Sequence, residues 1–255
     1  MSFIIHIIGC GGNGSRLLDK IGNYVMSQNI FPYINLIDED IVEEKNVERQ
    51  RFHFRDIGKP KAQVLAERFE RDHRYSNYID YHNTFANCDD AIQRLFYRGG
   101  GHYKHLFFLT VDNNPTRRLF WEYLKGDKDN LEAKFTNRKW AIIDCGNTAN
   151  FGQCVTTAYV GGQLIGSDPR LLYPNMQNIQ GDIPTSGGSC GVNHISQPQT
   201  LMANEMTSLF AYNSFYEIVH NQRILPRQEW CWMFPHPATG ELTTGMDIDE
   251  CISFN

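Results

Sequence analysis

Six consecutive residues near the amino terminus, Gly9-Cys10-Gly11-Gly12-Asn13-Gly14, have the makings of a phosphate-binding turn. They fit GxGxxG between a strand-like run and the start of a helix. In that context glycines let the backbone turn tightly and approach a phosphate, and helix N-terminal amides supply positive dipole. Asp38 closes a second strand-like run, where its carboxylate is placed to accept hydrogen bonds from ribose hydroxyls. The other use of such glycines is tight helix–sheet packing; the strand–turn–helix context favours a nucleotide. The motif alone does not separate a dinucleotide from ATP. No GxxxxGKS or GxxxxGKT occurs, which excludes a P-loop.

The residues after Asp38 distinguish between chemistries. Asp38-Glu39-Asp40 leads to Asn46, Arg49 and Gln50, then to DIGKPKA from Asp56 to Ala62, and a later strand-like run ends at Asp112-Asn113. Hydride transfer has no need of several fixed cations around the cofactor phosphates. Nucleotidyl transfer does, because charge develops on the α-phosphate and on the departing pyrophosphate. Arg49 and Lys61 supply cations, and Asp112 at a strand's carboxyl end is suited to Mg²⁺. Cys190, in TSGGSCGV, lies before a helical segment whose start would lower a thiol pKa. An acyl-accepting nucleophile and an inert loop or core cysteine are both open readings for it. Cys10, Cys145 and Cys154 read as packing residues, His102 and His105 as solvated loop histidines, and Arg117 and Arg118 as solvent-facing.

The elements that must position these groups follow from periodicity. Phe3–Ile8 and Tyr33–Ile37 read as buried strands, with a helix over Ser15–Met26 between them carrying Leu17, Leu18, Ile21 and Val25 at helical spacing. This βαβ unit implies a parallel sheet. Helices are expected at Lys61–Asp72, Asp89–Tyr97 and Pro115–Lys125, and strands at Tyr78–Tyr81, His105–Val111, Trp140–Cys145 and Gln153–Val160. The expected fold is α/β: a Rossmann-like open, mostly parallel sheet with helices on both faces, plus a C-terminal loop, helix and strand extension. Residues 1–160 would form the nucleotide-binding domain and 161–255 the extension. Within the latter, 162–191 reads as irregular, Thr200–Asn221 as a helix with Leu201, Met202, Met206, Leu209 and Phe210 as its stripe, and Trp230, Trp232 and Phe234 as a late strand or hairpin.

Composition bounds the rest. The 255 residues carry 24 Lys plus Arg against 29 Asp plus Glu, a net charge of −5, with 41% hydrophobic residues. This excludes an intrinsically disordered chain and argues against a dedicated nucleic-acid binder. No apolar run is long enough for a membrane helix, and the amino terminus reads as mature and unexported. Seven scattered cysteines without a CxxC pair fit free thiols in a reducing cytoplasm rather than a disulfide framework or structural zinc site.

GCGGNG at 9–14, LIDED at 36–40, NVERQ at 46–50, GKPK at 58–61 and Asp112-Asn113 together resemble, in order and spacing, the ThiF/MoeB superfamily of ubiquitin-activating-enzyme-like adenylyltransferases. The resemblance spans roughly residues 3–160. WAIIDCGNTANFGQC at 140–154 and SCG at 189–191 are similar to the ThiF-family proteins of bacterial PRTRC gene systems, which occur beside ubiquitin-like and isopeptidase-like partners. What the resemblance implies is an enzyme using ATP and Mg²⁺ to adenylate the C-terminal carboxylate of a ubiquitin-like or sulfur-carrier-type protein, as a homodimer. It implies nucleotide contacts from Gly9, Gly11, Gly12, Gly14, Asp38, Asp40, Asn46, Arg49, Gln50 and Lys61. Arg49, Lys61 and Asp112 would be catalytic, Asp112 would be the metal ligand, and Cys190 a potential thioester site. Relatives often carry zinc-binding CxxC pairs and an arginine ahead of the first strand; neither has a match here. An NAD-dependent oxidoreductase and a catalytically silent ThiF-like binding subunit are the alternatives.

Overall fold

The computed structural model of the chain describes residues 3–73, 78–84, 103–125, 139–148, 151–172, 201–232 and 244–254. Five strands, β1 (Phe3–Ile8), β2 (Tyr33–Ile37), β3 (Ile79–His82), β4 (Lys104–Leu109) and β5 (Trp140–Asn147), pair in parallel in the order β3-β2-β1-β4-β5. β1 and β4 are buried along their whole length, His6, Lys104 and His105 included, as strands are when both faces of a parallel sheet are covered. Beyond β5 the sheet turns antiparallel. β6 (Phe151–Val160) pairs with β5, β7 (Gln163–Gly166) and β9 (Arg227–Trp232), and β10 (Thr244–Ile248) pairs with β9 to complete nine strands. β8 (Arg223–Ile224) and β11 (Ile252–Ser253) form a separate small ladder.

One face of the sheet is covered by α1 (Gly12–Gln28), α3 (Lys61–His73) and α6 (Leu201–Val219), enclosing Ile5, Ile7, Leu17, Ile21, Leu65, Phe69 and Phe215. Each fully buried Leu, Ile or Phe contributes about 2 kcal/mol. The other face carries α4 (Asn114–Lys125), whose Phe120 and Trp121 pack on Phe107, Trp140 and Ile142. Helices therefore lie on both faces, as the alternation of strand and helix predicts. A short α2 (Glu44–Val47) and α5 (Pro169–Leu172) complete the described helices.

Several expectations change. α1 starts at Gly12, inside the glycine motif rather than at Ser15, and Ser15 N–H donates to the Gly11 carbonyl at 3.1 Å to close its first turn. The expected irregular segment, 162–191, contains β7 and α5, with β7 paired to β6; its remainder, 173–191, lies outside the described residues, as does the expected helix Asp89–Tyr97. The stripe assigned to α6 is right only in part: Phe210 is buried and Met206 packs against the core, but Leu201, Met202 and Leu209 are exposed, and the rest of the buried face is Ala203, Asn204, Thr207, Ser208, Ala211, Ser214, Phe215 and Ile218. Small residues allow α6 to lie close to α1 and the sheet, and their polar groups find partners there. Trp230 Nε1 donates to Thr207 Oγ1 (3.2 Å) and Gln228 Nε2 to Ser214 Oγ (2.8 Å). His105 is not a solvated loop residue but fully buried in β4, with its Nδ1 3.1 Å from His6 Nε2 on β1.

Candidate functional site

The sequence-predicted groups on described elements gather at the carboxyl ends of the parallel strands, where open α/β sheets hold ligands. The glycine turn follows β1, Asp38 follows β2, and Asp112 lies in the exposed turn after β4. The glycines divide by role. Gly9 has φ +94°, and a Cβ on Gly14 would lie 2.0 Å from the Gly9 carbonyl oxygen, so these two make the turn and let α1 close on the strand. A Cβ on Gly12 would lie 2.4 Å from Asn204 Nδ2 of α6. A Cβ on Gly11 meets nothing nearer than Gln50 Nε2, at 3.8 Å. Gly11 is thus the member of the four with an open approach to its Cα. Gly14→Ala is expected to cost several kcal/mol, enough to prevent recovery of folded protein, while Gly11→Ala melts within about 3 °C of the parent in a thermal scan.

Asp38 is bound into the turn: Oδ2 accepts from Cys10 N–H at 2.6 Å and Oδ1 from Asp40 N–H at 2.8 Å. Burial pushes its carboxyl up to about 6 against the pull of Lys61. The same burial holds the Cys10 thiol well above its usual range, so Cys10 is inert packing. The GKPK segment is pinned beside Asp38. Gly58 N–H donates to Val42 O, Val42 N–H to Lys59 O, and Lys61 N–H to Asp40 O, at 2.8, 2.8 and 2.9 Å. Lys61 Nζ then donates to Asp40 Oδ2 at 2.8 Å. Burial works against the Lys61 ammonium, but the carboxylates of Asp38, Asp40 and Asp112 outweigh it and raise the pKa. Lys61 is a fixed cation at the edge of an acid-rich cradle.

Asn46 serves the turn that carries Arg49 and Gln50. Its Oδ1 accepts from Glu43 N–H (2.8 Å), capping α2, and its carbonyl accepts from Arg49 N–H (3.2 Å) and Gln50 N–H (2.8 Å). The Arg49 guanidinium makes no ion pair among the described residues, leaving its charge for an anion. Gln50 sits beside Gly11, with a buried Oε1 that has no hydrogen-bond partner. Cys190 lies outside the described residues, as does His102. Cys145 and Cys154 face each other in buried positions across β5 and β6, as packing residues should.

Sequence reasoning missed three features. Asn13 Nδ2 donates to Asn147 Oδ1 (2.7 Å) and Asn147 Nδ2 to Asn204 Oδ1 (3.3 Å), joining α1, β5 and α6 at the glycine turn. Arg16, read only as a helix position, is buried and bonded to three different segments. Arg117 is buried rather than solvent-facing. It pairs with the fully buried Asp144 and donates to the carbonyls of Val111 (3.1 Å, from Nε) and Cys145 (2.7 Å, from Nη2). The signal for this last pair was present: an acid inside the apolar run WAIIDCGN needs a buried partner. Arg118 is half-exposed and pairs with Glu122 one turn on. Among the described residues no helix is long and apolar enough to cross a membrane.

Comparison with known proteins bears on the fold. A crystal structure of PaaA superposes with TM-score 0.56 at 12% identity, covering 97% of this chain and 65% of that one. The crystal structure of Escherichia coli MccB with ATP gives 0.59 at 15% identity, covering 96% and 63%. That of MccB with AMPCPP and MccA gives 0.58 at 16%, again covering 96% and 63%. The chain thus spans a little under two-thirds of the length of these structures and shares their fold. The model of the ThiF family matches residues 2–131, just over half of the sequence and all of the turn, acid and cation motifs described above; the chain belongs to the ThiF family.

Proposed function

We propose that this chain uses ATP to adenylate a carboxylate, with the C-terminal carboxylate of a ubiquitin-like or sulfur-carrier-type protein as the acyl substrate. The observation that carries the reading is the Lys61 ammonium held among Asp38, Asp40 and Asp112 beside the open Gly11 turn. Family membership and the ATP-bound MccB structure support it. Asp38 accepts from the ribose hydroxyls. The open backbone at Gly11 and the α1 amides receive the phosphates, and Arg49 and Lys61 offset the charge that develops on them. A carboxylate oxygen attacks the α-phosphorus, the acyl–O–P bond forms, and the bond to the β-phosphate breaks with pyrophosphate leaving. The nucleophile is already ionised, so no general base is required and catalysis rests on positioning and charge stabilisation. When bound, Mg²⁺ supplies further neutralisation of the phosphates. Asp112 is the residue that would hold it.

In this reading residues 1–160 carry the chemistry and 161–255 form an extension that reaches the glycine turn through α6. A homodimer, a cytoplasmic location and capture of the acyl group by Cys190, sulfur attacking the acyl carbon with AMP leaving, complete the proposal. ATP–pyrophosphate exchange tests it, with a small glycine-terminated protein as acyl substrate. Exchange that depends on that protein is expected. Tight NADH binding without exchange would favour an oxidoreductase, and no nucleotide turnover at all a silent subunit.

The Asp38 carboxyl gives a pH signature. A carboxyl raised to about 6 in the folded chain is ionised at pH 7 and takes up a proton as pH falls through that value, losing an acceptor for ribose. Adenosine is the clean probe because it lacks titrating phosphates. Its affinity, measured calorimetrically between pH 5 and 8, is expected to fall below about pH 6, and Asp38→Asn to abolish the inflection. Fold stability runs the other way. The folded state favours protonated Asp38, so that stabilisation is present below the unfolded value of about 3.9 and lost as pH rises through about 6.

A further inference from the structure

We infer that Arg16 is a positioning residue for Arg49, and that Glu205 of α6 fixes the orientation in which Arg16 does this. The inference rests on the adenylation reading to the extent that Arg49 is taken to meet the triphosphate. Arg16 is 2% exposed, on the second turn of α1. Its Nη1 carries two hydrogens, and both are used: one bond goes to the Gly12 carbonyl at 2.9 Å and one to the Arg49 carbonyl at 2.7 Å. Its Nε donates to Glu205 Oε1 at 2.8 Å. A single rigid plane therefore joins the glycine turn, the Arg49 backbone and the first turns of α6. No local motif links these segments: Arg16 and Arg49 are 33 residues apart, Arg16 and Glu205 are 189.

Arg49 is consequently held on both sides of its Cα. Its N–H is bonded to the Asn46 carbonyl and its C=O to Arg16. Backbone torsions limit the rotamers open to a side chain, so fixing both peptide groups narrows the directions available to the guanidinium. Glu205 completes the device. Its second oxygen accepts from Lys20 Nζ at 2.9 Å, and Arg51 lies 3.8 Å from the first. The carboxylate thereby stays ionised opposite Arg16 and pins the guanidinium plane. Lysine could not replace Arg16, since an ammonium lacks a planar fork that reaches three acceptors lying in different directions. Asn204 takes part in the same docking from the adjacent position, its amide lying directly over Gly12.

The test compares two ligands. Arg49 would contact phosphates and not the nucleoside, so loss of positioning weakens ATP but not adenosine, whereas general damage to the fold weakens both. Affinities for ATP and for adenosine are measured by calorimetry on the full chain, with thermal melts as the folding control. Arg49→Ala and Glu205→Ala are each expected to weaken ATP about 5- to 20-fold and leave adenosine within about twofold. Glu205→Gln keeps an acceptor for Arg16 Nε and is expected to recover most of the ATP affinity. In the double variant Arg49→Ala/Glu205→Ala, the second change is expected to add nothing, because there is no guanidinium left to aim. Equal losses for both ligands in Glu205→Ala, no loss in Glu205→Ala, or full additivity in the double variant would overturn the inference while leaving the proposed function standing. Parent protein that binds ATP no better than adenosine would overturn both.

Discussion

Lys61→Met is expected to lower ATP-dependent pyrophosphate exchange by about 10²–10³-fold, a loss typical of removing a fixed charge from a developing phosphate charge, while the protein stays folded. The Met side chain keeps most of the stem that runs beneath the turn and removes only the ammonium. That ammonium is 2.8 Å from Asp40 and is kept protonated by three carboxylates in spite of its burial. Its removal has a second consequence. Burial raises the Asp38 carboxyl to about 6, and Lys61 is the foremost of the groups that oppose this, with the Cys10 and Asp40 N–H groups beside it. Without it Asp38 titrates higher, and the inflection in adenosine affinity moves toward neutral pH. One substitution therefore produces two independent readings, a rate loss and a pH shift. A variant that loses exchange with no movement of the inflection would show that Lys61 acts on the phosphates but does not share a field with Asp38. Arg49→Ala is expected to give the rate loss alone.

The legible part of this protein is the part whose determinants are close in sequence. β1, the glycine turn, α1 and β2 occupy the first 37 residues, and each shows its own periodicity or its own glycines. Asp38, Asp40, Arg49, Gln50 and Lys61 follow within one short stretch, so their order and spacing could be read together. Even there the sequence did not divide the glycines into those that make the turn and the one that leaves space over it. That division depends on Thr110 and Asn204, which arrive from distant segments. The face of α6 was misread for a related reason. Apolarity alone does not mark the buried side, because the helix has apolar residues all round and close packing brings many of its small and hydroxyl-bearing residues inward. Of the larger residues in the expected stripe, Leu201, Met202 and Leu209 are therefore exposed, while Phe210 is buried. Asn147, Arg16 and Glu205 look like ordinary polar residues until the fold brings residues 13, 147 and 204, and 16, 49 and 205, within hydrogen-bonding distance. A single sequence contains no record of such pairings. Cys190, the residue on which a thioester step depends, lies outside the described residues.

Arg117→Met is expected to destabilise the fold by about 3–5 kcal/mol, and the reason is Asp144 rather than the arginine itself. Asp144 is fully buried in β5, among the buried Trp140, Ala141, Ile142, Ile143 and Cys145 of that strand. Burial raises its carboxyl, and the Arg117 guanidinium, helped by the Trp121 indole N–H at 3.0 Å, offsets only part of that rise. Removing the cation leaves a buried acid with one neutral donor. Such a group either ionises at great cost or takes a proton at the expense of the fold. For a chain of this size about 4 kcal/mol corresponds to a fall of roughly 8–16 °C in melting temperature. The mechanism is separable from simple loss of packing. If the uncompensated charge is the cause, Arg117→Met/Asp144→Leu recovers most of the lost stability, since replacing both members of a buried ion pair by apolar residues is often neutral or better. If lost packing is the cause, the double variant melts no higher than the single one. The site should register the change as well. Arg117 bonds the carbonyl of Val111, next to Asp112, and that of Cys145, two residues before Asn147. The repaired double variant is therefore expected to melt near the parent yet bind ATP less tightly, because the two strand ends that carry Asp112 and Asn147 have lost the brace between them.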